Sequence, residues 1–203
     1  MLRSLSVFTV ILFSGSYLWA SAVSLGSVVA QGQLRIDGHT VQGSGTVFDG
    51  TMVETGSESQ STADLRLSNG TRITLHNNSY GALYQDHFVL LRGEANMVTP
   101  SSFRVEVSGL VIKSSEPATS ESIAIGPEGA VSVLARTGQL QIVGDNGQVL
   151  AQIRPQEKPL AFTRTEDRGW QIGKGSSRHS GDGDHDGDGD DHDHHHRHHH
   201  HSR

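Results

Sequence analysis

The sequence predicts an all-β fold, either a β-roll or solenoid-like stack or a sandwich of short strands, with a disordered C-terminal tail. Three observations predict it. From Gln31 to about Gly173 apolar residues alternate with period two, and no window shows helical periodicity. Turn dipeptides separate the alternating runs at near-regular spacing. Residues 175–203 contain only Gly, Ser, Asp, His and Arg, so no apolar burial offsets the entropy of ordering them. The expected organisation is a leader over 1–22, an all-β domain over 31–173 and a Gly/Asp/His-rich tail over 174–203.

The leader comes first. Arg3 precedes a short apolar core, Leu5 to Phe13, and Ala20-Ser21-Ala22 supplies the small residues that a signal peptidase pocket accepts. A second cleavage site follows Val28-Val29-Ala30. The alternative is an uncleaved membrane anchor, since no charge separates Arg3 from Arg35. The densest apolar run is shorter than a span, which favours cleavage. Export to a bacterial periplasm or the exterior is therefore expected, with no membrane span after cleavage. The chain has no Cys, which excludes disulfides, thiolate metal sites and cysteine nucleophiles.

The strands follow in order. Leu34 and Ile36 alternate before Asp37-Gly38, and Val47-Phe48 precedes Asp49-Gly50. Leu65 and Leu67 lead into Ser68-Asn69-Gly70, and Ile73 and Leu75 follow. Next come Phe88 to Leu91, then Phe103, Val105 and Val107, then Leu110 to Ile112. Ile123/Ile125, Val131/Val133, Leu140/Ile142, Val149/Leu150/Ile153 and Leu160/Phe162 complete the series. Gly and Asn at the junctions tolerate the positive φ that tight turns require. One register can be derived. If Leu65, Leu67, Ile73 and Leu75 share a face, Leu65 pairs with Ile73 and Leu67 with Thr71. That leaves a three-residue loop with Gly70 at a left-handed bulge position. The alternative is a solenoid corner, with the two strands in successive coils.

Residues 43–98 carry a longer pattern. Gly50 and Thr55 precede the strand of Leu65 and Leu67. The Asn69-Gly70 turn and the strand of Ile73 and Leu75 follow. Then come Asn78-Ser79 and an apolar strand through Leu91 that ends at Gly93. This segment resembles the FecR-type domain, named for iron-dicitrate sensors and anti-sigma regulators. Gly129 to Leu134, with residues through Phe162, looks like the trailing strands of such domains. The resemblance implies an extracytoplasmic β-rich domain that senses a signal or binds an envelope protein. It brings no catalytic residues, and its glycines and leucines are expected to be fold positions.

The tail holds the metal-prone chemistry. The chain carries a net charge of −6 and 13 His; residues 179–203 alone hold 7 Asp against 2 Arg, and 10 of those His. His185, His192, His194, His195, His196, His198, His199, His200 and His201 offer neutral imidazoles to Zn²⁺, Ni²⁺ or Cu²⁺. Without a fixed surrounding shell, such ligand sets bind in several registers with poor selectivity. Asp182, Asp184 and Asp186, followed by Gly187, match the opening of a calcium loop. Asp193 stands where the bidentate Glu belongs and no helices flank the run, so Ca²⁺ is the less favoured ion. No cofactor is required by any motif.

Within the body, His39, His76 and His87 show no metal-ligand spacing and read as surface or satisfied histidines. Tyr80, Tyr84 and Trp170 could line a groove, though packing is the commoner fate of aromatic rings. The acidic balance argues against nucleic acid. No nucleophile elbow, phosphate loop or H-E-x-x-H occurs. The expected function is a non-enzymatic exported domain for protein interaction or signal sensing. The rival is divalent-metal binding or buffering through the tail; a carbohydrate-active enzyme on a β scaffold ranks last.

Overall fold

The computed structural model describes residues 23–100, 102–155, 158–165 and 169–174. The chain begins with β1 (Ser24–Gln31), β2 (Leu34–Ile36), β3 (His39–Val41), β4 (Ser44–Phe48), β5 (Thr51–Thr55) and β6 (Thr62–Leu67). It continues through β7 (Arg72–Leu75), β8 (Tyr80–Leu83), β9 (His87–Arg92), β10 (Glu94–Thr99), β11 (Arg104–Val107) and β12 (Leu110–Ser114). The last strands are β13 (Thr119–Ile125), β14 (Val131–Thr137), β15 (Leu140–Val143), β16 (Val149–Ile153), β17 (Leu160–Thr165) and β18 (Gly169–Lys174). A 3₁₀ turn, Pro127–Gly129, separates β13 from β14. The all-β expectation holds.

The strands form two nine-stranded sheets. Sheet A has the order β18-β17-β14-β13-β10-β7-β6-β1-β4, and sheet B the order β16-β15-β12-β11-β9-β8-β5-β2-β3. The chain lays one or two strands in one sheet, crosses, and lays the next in the other. Both sheets therefore grow in the same direction along the sequence. Neighbouring strands are antiparallel except β9 and β11, which run parallel because β10 crosses to sheet A between them. Residues from both sheets share one apolar cluster, in which Phe88, Phe103 and Phe162 are the largest fully buried side chains. Gly81 makes room for one of them, since a Cβ there would lie 2.3 Å from Cζ of Phe88. Each buried Val, Leu, Ile or Phe side chain contributes roughly 1.5–3 kcal/mol, so a core of this kind needs no cross-link.

The predicted hairpin is present. Leu65 pairs with Ile73 across β6 and β7. The Leu67 amide donates to the Thr71 carbonyl at 2.9 Å and the Gly70 amide to the Leu67 carbonyl at 3.1 Å. Gly70 has φ +91°, the left-handed conformation the bulge demands. The two strands are neighbours in one sheet, not successive coils.

Several strands stand outside the sequence pattern. Inward positions of β5 are Thr51, Val53 and Thr55, and those of β10 are Ala95, Met97 and Thr99, all buried. Threonine and alanine on the inner face erase the contrast that alternation relies on. β1 occupies Ser24–Gln31, in the stretch between the expected leader and the expected domain start. It lies inside sheet A between β4 and β6, and Val28 is fully buried.

Candidate functional site

The tail residues singled out for metal binding, from Asp182 to His201, lie outside the described residues. Among the described residues no group of three or more His, Asp or Glu could hold a metal ion, and no helix is long and apolar enough to cross a membrane. The three body histidines are apart. His39 is exposed on β3. His76 Nε2 lies 2.6 Å from the Asn96 amide nitrogen. His87 stacks on Tyr84 with ring centroids 4.4 Å apart, and its Nδ1 lies 2.7 Å from Asp86.

Two of the residues that carry the family resemblance, Thr55 and Ser79, form a buried latch between the sheets. The Thr55 hydroxyl, at the end of β5, donates to the His76 carbonyl at 2.6 Å and accepts the Ser79 amide at 2.9 Å. The Ser79 hydroxyl in turn accepts the Glu94 amide at 2.9 Å and donates to the Glu94 carbonyl at 3.0 Å. β5 and β8 belong to sheet B, β7 and β10 to sheet A, so these two hydroxyls satisfy the backbone where the chain changes sheet. Gly93 has φ +86°, and a Cβ there would lie 2.6 Å from Cα of Ser79. The Thr55 and Ser79 hydroxyls are spent on backbone partners and present no chemistry to solvent.

Chemistry-bearing side chains collect instead on the outer face of sheet B. Register places Arg35 opposite Glu54, Glu54 opposite Tyr80 and Tyr80 opposite Arg92. Arg92 Nη2 donates to Glu54 Oε1 at 2.9 Å and Nε to the Asn78 carbonyl at 3.2 Å. Its guanidinium carbon sits 6.0 Å from the centroid of the Tyr80 ring, within cation–π range. Arg35 Nη1 stands 3.9 Å from Glu54 Oε2. Two guanidiniums thus share one carboxylate. The ridge they form separates two shallow depressions, and Tyr80 lines one of them.

A second cluster lies further along the same face. Arg104 bonds both Asp86 and Glu106, the latter at 3.2 Å. Hydrogen bonds from His87 first and Arg104 second hold the Asp86 carboxyl below the usual carboxylate range. The bond to Glu106 raises Arg104 further above its ordinary value. Register aligns Met52, Ala82, Val89, Val111 and Val143 with Glu106 of the second cluster in one row. Leu91, half-exposed at a bulge, borders a depression of about 460 Å³ that Val89 and Val111 also line.

The outer face of sheet A is different in kind. Its central row reads Asp64, Thr74, Asn96, Ser122 and Leu134, with the Thr74 hydroxyl donating to Asp64 at 2.6 Å. Arg66 faces Arg72 directly across the β6–β7 pair. Trp170 packs against the core. Sequence reasoning did not find Arg35, Glu54 or Arg92. The available signal was that each is a charged residue at an outward position of a strand, which is also the commonest state of any surface charge.

No protein-family model matches the chain, and comparison with curated proteins finds no match. Among solved structures, two crystal structures of a candidate anti-sigma factor from Parabacteroides distasonis are similar, at 17% and 16% identity and a TM-score of 0.46 each. The match covers 61% of this chain and 59% of theirs, so this chain spans less than two thirds of their length.

Proposed function

We propose that this chain is an exported, non-enzymatic domain that binds a protein partner in the cell envelope through the outer face of sheet B. One observation carries the reading. That face sets a mostly aliphatic row beside Arg, Tyr and Met, residue types enriched in protein interfaces, whereas the central row of sheet A carries Asp64, Thr74, Asn96 and Ser122 and the exposed Val29, Phe48 and Val98 of that sheet stand on three different strands. The signal-like leader supports export. The pattern over 43–98 supports membership of the FecR-type group and a sensing or regulatory role. The lack of a nucleophile motif or metal-ligand spacing in the body supports a binding role over catalysis.

The test is site-specific photo-crosslinking in living cells. A photoreactive amino acid at Val89 or Val111 should trap a discrete adduct, and the same probe at Asn96 on sheet A should not. Equal yields from both faces, or none from sheet B, would remove this reading.

A second reading rests on the ten histidines beyond residue 178. In it the tail gathers Zn²⁺, Ni²⁺ or Cu²⁺ and the β domain is its carrier.

A further inference from the structure

The ridge made by Arg35, Glu54 and Arg92 is electrostatically incomplete. Both guanidiniums are permanently charged, and a single carboxylate stands between them, leaving one net positive charge. Arg92 is already fixed: Nη2 bonds Glu54, Nε bonds the Asn78 carbonyl, and the plane lies near the Tyr80 ring. Among the described residues its Nη1 and the whole Arg35 guanidinium make no hydrogen bond. Asp37 lines the opposite depression and accepts the Met52 amide at 2.8 Å. On the remaining side lies a depression of about 200 Å³ lined by Gln33, Arg35, Glu54, Gly56, Asn78 and Arg92.

We propose that this depression receives one carboxylate side chain, an Asp or Glu of the partner protein, between Arg35 and Arg92. The assignment deepens the proposed function, since it rests on sheet B being the partner face. Size decides against a free metabolite: ligand pockets usually reach about 300–1,000 Å³ and enclose most of the ligand, while this one is smaller and open. Charge decides against phosphate: Glu54 repels a dianion, whereas a single carboxylate neutralises the residual charge. Arginine suits the task because its planar fork matches a carboxylate in two parallel hydrogen bonds. With Arg92 held beforehand, the ordering cost falls mainly on Arg35.

The experiment is an NMR titration of the full-length chain, following the Nε–Hε signals of Arg35 and Arg92 and the amides of Gly56 and Asn78. The probe is the blocked peptide acetyl-Ser-Glu-Ser-amide. Matched arms use acetyl-Ser-Gln-Ser-amide, succinate and inorganic phosphate. A parallel protein with the tail aspartates changed to Asn removes competition from the chain's own acidic segment. The four signals should shift saturably with the Glu peptide, and affinity should fall at least tenfold with the Gln peptide and in Arg35→Gln. Absence of saturable shifts in both proteins, unchanged affinity in Arg35→Gln, or tighter binding of succinate or phosphate would each overturn the proposal. Saturable binding here without adducts from Val89 or Val111 would retain the pocket and discard the wider face. The reverse result would do the opposite.

Discussion

Glu121 is the residue whose environment conflicts most with its chemistry. It points into the core from β13, 2% exposed, opposite Met97 and Ala135, and its Oε2 has no hydrogen-bond partner. Burial pushes its carboxyl up to about 8, because a charged form would be stranded in a low-dielectric interior. The sign of the linkage follows. The unfolded carboxyl ionises near the ordinary value of 4.5 while the folded one keeps its proton. The contribution is therefore fully present below pH 4.5 and drains away as pH rises towards 8. The slope is about 1.4 kcal/mol per pH unit in that window. Asp86 acts in the opposite direction, but its window lies below its ordinary value of 3.8, so the two do not overlap. Urea unfolding at pH 5 and pH 8 should show lower stability at pH 8, and Glu121→Gln should abolish most of the difference. An unchanged difference in the variant would show that other groups produce it. Nothing in the sequence pattern marks Glu121, since Thr-Ser-Glu-Ser reads as a polar stretch. Only its place between Thr119 and Ile123 on an inward-facing strand reveals the burial.

At the scale of elements, β1 is the informative case. Its Val28 pairs with Leu65 on one side and Gly45 on the other, and it is fully buried. Gly26 lets β6 approach, since a Cβ there would lie 2.2 Å from the Arg66 carbonyl oxygen. Cleavage after Ala22 leaves β1 intact, whereas cleavage after Ala30 strips it from the interior of sheet A and leaves both β4 and β6 with open edges. On the proposed export, mass spectrometry of the mature chain should therefore find its N-terminus at Val23. A chain expressed from Gln31 should lose its cooperative unfolding transition; normal folding of that chain would show β1 to be dispensable. The β6–β7 hairpin was legible beforehand because its register depends on four apolar residues and one glycine within a dozen positions. β1 was not, because Ser-Leu-Gly-Ser-Val-Val-Ala blends into a leader-like apolar stretch and its partners lie far along the chain.

For the whole molecule, the division of labour between body and tail is open to a direct test. Calorimetric titration with Zn²⁺ and Ni²⁺ should show binding to the full chain and its loss in a chain ending at Lys174, with the thermal unfolding midpoint of the metal-free protein unchanged. Equal binding by both chains would end the metal-tail reading. The sequence by itself determined the all-β class and most of the succession of short strands, and it offered the 68–70 loop as a hairpin with a solenoid corner as the alternative. Those follow from period-two alternation and from residues that accept positive φ, which are local properties. It could not determine which strands share a sheet, that threonines would line the interior of β5, or that Arg35, Glu54, Tyr80 and Arg92 would meet on one surface. Those outcomes are set by pairing between distant strands, and a single step of register would turn each of those side chains to the opposite face.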